Sequence, residues 1–126
     1  MIERIQPDGL PKPPTYTHVI RASGTTIYIA GQTAQNERGE IVGHDIAAQG
    51  RQVMENLQKA LAAAGAGFEH LVKLTIYLTD PRYRESLAEV RRAYLGDLLP
   101  TSTLVVVAGL GDPRYLVEIE AVAVVP

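Results

Sequence analysis

Between residues 71 and 79 apolar and polar side chains alternate from Val72 onward. Val72, Leu74, Ile76 and Leu78 fall on one side, and Lys73, Thr75, Tyr77 and Thr79 on the other. That period of two predicts a half-buried strand. Upstream the period changes: Ile46, Val53, Leu57, Leu61 and Ala64 recur at spacings of three, four and seven, which is one stripe of a helix. Asp45 can cap its N-terminus and Gly65 can stop it. A second helix is expected after Asp80-Pro81, with proline in its first turn and Leu87, Val90 and Tyr94 on its inner side. Further strands are expected at residues 15–21, 25–30, 103–108 and 116–124. Only Ala22-Ser23-Gly24 separates the first two, a connection of hairpin length. Residues 7–14 hold four prolines, which remove backbone donors and fix φ, so this segment reads as an N-terminal loop.

The resulting order is strand, strand, helix, strand, helix, strand, strand. Each helix has a single apolar stripe to bury, so the expected architecture is α+β, a mixed sheet with both helices packed on one face. With 126 residues the chain is expected to form one domain, residues 1–126. The opposite sheet face then needs a cover, and in so small a domain a second copy of the chain supplies it most simply.

Composition adds mainly exclusions. A net charge of -2 with scattered basic residues argues against nucleic acid as a main partner. Arg91-Arg92 reads as a solvated helix face. The absence of cysteine excludes disulfides, thiolate catalysis and thiolate-bound metals, and it fits a reducing compartment. The first seven residues lack the apolar run of a signal peptide, and no segment reaches membrane-spanning length, so a cytoplasmic protein without a membrane partner is expected. The three histidines show no metal-ligand spacing, and there is no nucleophile elbow, phosphate loop or dinucleotide fingerprint. Neither metal nor cofactor is expected.

The last quarter of the chain carries the sharpest signal. Pro100-Thr101-Ser102-Thr103-Leu104-Val105-Val106-Val107, followed by Val117-Glu118-Ile119-Glu120-Ala121, resembles the signature of the RidA/YjgF family of imine and enamine deaminases. The likeness continues in Tyr28-Ile29-Ala30-Gly31-Gln32, in Gly39-Glu40, in the first helix from Ala47 to Leu57, and in Lys73 to Asp80. The resemblance implies the family's chorismate-mutase-like fold and a homotrimer whose sheets meet in a central barrel. It also implies a ligand cleft between subunits, and no cofactor. In the deaminases the signature reads Pro-Ala-Arg-Ser or Pro-Thr-Arg-Ser, and the arginine holds the substrate carboxylate. Ser102 stands in that place here. A helix asparagine common in the family falls at Ala88.

Carried over position by position, the resemblance makes Glu118 the residue that orients the attacking water. Tyr16, Gly31 and Ser102 become the ligand-binding set. Arg114, in the loop Gly111-Asp112-Pro113-Arg114-Tyr115, is the cation nearest in sequence to the signature and a candidate substitute for the arginine. Each residue also has a plainer reading. Glu118 and Glu120 share a strand face roughly 7 Å apart, as solvated carboxylates often do. Tyr16 fits an interface tyrosine, Gly31 a strand end, Ser102 a turn, and Arg114 a loop facing water. His18 lies two residues after Tyr16, on the same side of the expected strand, within reach of a cleft.

Three functions follow. The first is hydrolysis of a reactive imine or enamine, with an altered substrate because Ser102 replaces the arginine. The second is a non-catalytic trimer of the same fold that binds or senses a small molecule. The third, ribonuclease or translation-inhibiting behaviour like that of some relatives, is disfavoured by the lack of a basic groove.

Overall fold

The structure, a computed structural model, describes residues 1–126. The strands are β1 (Ile2–Ile5), β2 (Val19–Ala22), β3 (Thr25–Gln32), β4 (Leu71–Leu78), β5 (Thr101–Val106) and β6 (Val117–Val125); the helices are α1 (Ile46–Ala63) and α2 (Arg84–Leu95). Four strands make a mixed sheet in the order β3-β6-β4-β5. β6 runs antiparallel to both β3 and β4, whereas β4 and β5 are parallel, and α2 provides the crossover that a parallel pair requires.

Local chemistry sets the helix ends. The Asp45 carboxylate accepts the Ala48 N–H at 2.8 Å, satisfying one of the four orphan donors of α1. Gly65, at φ +72, turns the chain away, while the Gly65 and Ala66 N–H groups close on Ala62 and Leu61. Ala64, one position past the end of α1, is exposed, while the stripe buries Ile46, Val53, Leu57 and Leu61. Asp80 caps a short 3-10 turn at Pro81–Tyr83 that leads into α2. Both helices pack on one face of the sheet, and 17 buried apolar residues from helices and sheet form a single cluster there.

Three strand-level expectations need correction. β1 had no signal in the sequence, because four residues (Ile-Glu-Arg-Ile) are too few to establish a period. β2 is shorter than expected and pairs antiparallel with β1, from Ile2 against Ala22 to Ile5 against Val19. It forms no hairpin ladder with β3. The chain changes sheets at Gly24, whose φ is +142 and where an added Cβ would lie 2.2 Å from the Val125 carbonyl oxygen. Only glycine admits so close a passage across the end of β6. Finally, β4 carries one extra residue near Val72, since Leu71 faces Ala123 while Lys73 faces Val122. That bulge puts Leu71 in the core in place of Val72.

One buried polar side chain ties the layers together. Gln49 on α1 is 1% exposed and fully hydrogen-bonded. It donates to the Gly43 and Arg114 carbonyls and accepts the Leu116 N–H at 2.8 Å, which fixes the entry to β6 and so the placement of Glu118. No helix is long and apolar enough to cross a membrane.

Candidate functional site

Glu118 leaves β6 on the sheet face away from the helices, opposite Tyr77 of β4. Two residues on, Glu120 accepts a hydrogen bond from the Tyr77 hydroxyl at 3.0 Å. That bond is the main cause raising the Tyr77 pKa above its ordinary value, with burial and the two carboxylate charges adding to it. The carboxylates are therefore not equivalent. Glu120 is engaged by a phenol, while Glu118 accepts no hydrogen bond from the chain and has no cation within 4 Å.

Glu118 instead lies against Gly31. The pairing of β3 with β6 steps from Ile29–Ala121 to Gln32–Ile119, three residues against two, so Ala30-Gly31 forms a bulge. A Cβ on Gly31 would come 2.0 Å from Glu118 Oε2. The bare backbone at this bulge is what lets the carboxylate rest where it does.

The second element of the site is a cleft of about 990 Å³ between the N-terminal loop, α2 and β5. Tyr16, Ala88, Arg91, Ser102, Leu104 and Val106 contribute to its walls. Tyr16 is held in a loop, not in a strand. The Gln6 side chain donates to the Tyr16 carbonyl at 2.9 Å and accepts the His18 N–H at 3.0 Å, while the Thr17 hydroxyl donates to the Leu99 carbonyl. The Gln6 bonds tie the loop to the end of β1, and the Thr17 bond pins it to the segment just before β5. His18 does not line the cleft; its ring meets Tyr16 edge-on, and Nε2 lies 2.7 Å from the Pro11 carbonyl oxygen.

Glu118 and Ser102 do not meet within one chain. In the parallel pairing Ser102 stands beside Leu74, and Leu74 beside Ala121, both buried on the helix side. Glu118 stands beside Tyr77, and Tyr77 beside Val105, on the other side. Side chains alternate along a strand, so the two residues project from opposite sheet faces with β4 between their strands. Glu118 and Gly31 thus form one half of the candidate site, and Tyr16 and Ser102 belong to the other.

Arg114 belongs to neither. Its guanidinium forms a forked ion pair with Asp112 and its side chain is 71% exposed. The bond from Arg114 pulls the Asp112 carboxyl down to about 2. As a substitute for the missing arginine, Arg114 is already paired and outside the cleft wall.

The residue that sequence reasoning passed over is Arg91. It is 8% exposed, in contrast to the exposed Arg92 beside it, which corrects the reading of both as a solvated face. Arg91 falls four residues after Leu87 and four before Leu95, inside the apolar stripe of α2. A single cation at those spacings was the available signal. Its guanidinium points at the start of β5, with one terminal nitrogen 3.5 Å from Ser102 Oγ and 3.3 Å from the Thr15 carbonyl oxygen. Both contacts are long. Nε has no acceptor in the chain, and no carboxylate lies within 4 Å. Burial lowers its pKa from the ordinary value, yet a guanidinium keeps its proton in proteins.

Known proteins resemble this chain in sequence and in fold. The family described as Endoribonuclease L-PSP matches residues 10–125. A RutC family protein of Pyrococcus horikoshii, PH0854, is 39% identical over 125 residues, covering 98% of both chains. The 2-iminobutanoate/2-iminopropanoate deaminase of Mus musculus is 37% identical over 101 residues, 79% of this chain and 73% of that one. The crystal structure of the Rid family protein YyfB from Yersinia pestis superposes with a TM-score of 0.90 at 32% identity, covering 98% of each chain.

Proposed function

The chain belongs to the RidA/YjgF family, and from that premise we propose that it hydrolyses a reactive imine or enamine to a carbonyl compound and ammonia. The observation that carries the reading is the Glu118–Gly31 contact: a carboxylate without a partner, resting against a bulge where a side chain at position 31 would displace it.

The chemistry asks little of the protein. The C=N carbon is already electrophilic, so water needs only to be positioned and relieved of a proton. Glu118 accepts that proton as the water oxygen bonds to the carbon. That proton passes to the imine nitrogen to complete a neutral carbinolamine. The hydroxyl proton then follows the same route through Glu118, so that C=O forms as the nitrogen, now carrying both protons of the water, leaves as ammonia. An enamine enters the same sequence once a proton has moved from its nitrogen to its carbon, which makes it the imine. Glu118 ends the cycle unchanged, and no redox step or cofactor is needed.

The ligand needs a second wall, and in this reading the next copy of the chain provides it. Glu118 and Gly31 of one subunit face the cleft of its neighbour, where Tyr16 and Ser102 lie, in a homotrimer. Two observations support this. The halves project from opposite faces of one sheet and cannot converge within a chain. The sheet face away from the helices also leaves Tyr28 on one edge strand 81% exposed and Val105 on the other edge strand exposed, apolar side chains that association would bury. The imines named for the mammalian relatives carry a carboxylate. Here Ser102 cannot grip one, so the substrate is anchored by another group of the cleft or differs from theirs.

The test is release of keto acid from imines generated in situ by an amino-acid oxidase, using small and large amino acids in turn. The expected outcome is acceleration by the protein with at least one of them. No acceleration across the series, together with tight retention of a ligand, would replace this reading with the binding or sensing trimer.

A further inference from the structure

We propose that Arg91, acting from α2, is the cation that holds the ligand's anionic group, with the Ser102 hydroxyl as its partner in the seat. The position at the start of β5 that carries an arginine in the deaminases has lost its charge. An arginine from a different element points to the same spot.

The argument rests on Arg91 being buried and incompletely paired. Its five N–H donors meet two distant oxygens, and Nε meets none. A charged group withdrawn from water needs a counter-charge, and the chain offers none within 4 Å. A small adjoining cavity of about 20 Å³ has room for one water, which would satisfy a donor without neutralising the charge. A carboxylate in the cleft would do both, because a guanidinium presents paired donors to two oxygens at once.

The surroundings favour an anion. Arg84 also lines the cleft, and Arg82 lies at its edge, paired with Asp80. Glu85 is the one acidic residue among the lining groups, and it is exposed. Small side chains at positions 88 and 102 leave open the volume in front of the guanidinium. The ligand class is therefore a carboxylate-bearing imine or enamine, an assignment of substrate that rests on the deaminase reading. The seat itself does not depend on that reading.

The experiment measures binding of 2-oxobutanoate and of its neutral amide by calorimetry, beside the hydrolysis assay, for the natural protein and for Arg91→Met. Methionine keeps much of the buried volume and removes the charge. The natural protein should prefer the carboxylate. R91M should lose roughly 30- to 1000-fold in carboxylate affinity while binding the amide unchanged. If R91M does not fold, Arg91→Lys serves instead: it keeps the charge, loses the fork, and should weaken carboxylate binding about tenfold or more while sparing the amide. Equal loss of both ligands would mean that Arg91 only braces the Thr15 carbonyl, and would overturn the proposal. So would a natural protein that binds neither probe, or a variant that keeps its preference. Arg91-dependent carboxylate binding without hydrolysis would leave the seat standing and remove the deaminase reading. Hydrolysis indifferent to R91M would do the reverse.

Discussion

Glu118→Gln should lower the rate of imine hydrolysis about 10²- to 10⁴-fold, the range expected when a positioned general base is lost. The substitution is nearly isosteric and removes only the ability to accept a proton. Glu118 makes no hydrogen bond within the chain, so thermal stability should barely change. Glu120→Gln provides the contrast. Glu120 is occupied by Tyr77, and its loss should alter the rate far less. Steady-state keto-acid release, with thermal unfolding of the same samples, separates the two variants. Equal losses for both would mean that the carboxylates act as a pair, contrary to the geometry.

Gly31→Ala should be nearly as damaging to catalysis, for a different reason. The new methyl group would fall 2.0 Å from Glu118 Oε2. The carboxylate is the far end of a flexible side chain, so it can swing aside and the fold can persist. The water it orients would move with it. A displacement of about 1 Å in a catalytic group can cost on the order of 100-fold in rate. The expected result is therefore a large drop in kcat with an almost unchanged melting temperature. An active Gly31→Ala protein would show that Glu118 works from another position.

Much of the fold was legible because its long elements keep clean periods. Asp45 and Gly65 bound α1 as their chemistry dictates, and the alternation in β4 and β6 gives the correct buried faces over most of their length. Legibility failed where the departure from a period was a single residue. The bulge near Val72 exchanges it for Leu71, and the bulge at Ala30-Gly31 cannot be seen in the order of side chains at all. β1 has no period long enough to read. The supposed hairpin failed because a short connection says only that two strands can pair, whereas Gly24 is used to pass from one sheet to the other.

The candidate site divides in the same way. Alternation in the sequence places Glu118 and Glu120 on one face, but nothing in it distinguishes them; the distinction comes from Tyr77 on the neighbouring strand. Along the chain, the cation nearest the signature is Arg114. Proximity in space chose Arg91 instead, across a parallel crossover, where α2 lies over the start of β5. A charge inside an apolar helical stripe was the clue, and the adjacent exposed Arg92 concealed it.

The central claim is that each site is built from two copies of the chain, and complementation tests it most directly. One variant, Glu118→Gln, loses the base; the other, Ala88→Trp, fills the cleft beside Ser102 and Arg91. Each alone should be nearly inactive. Mixed trimers, formed by co-expression or by joint refolding, would juxtapose an intact Glu118 from one variant with an intact cleft from the other. Random assembly of equal amounts should restore about a quarter of the natural activity, because each interface independently draws its two halves from the pool. Mixed trimers as inactive as their parents would contradict the account and place the whole site within a single chain.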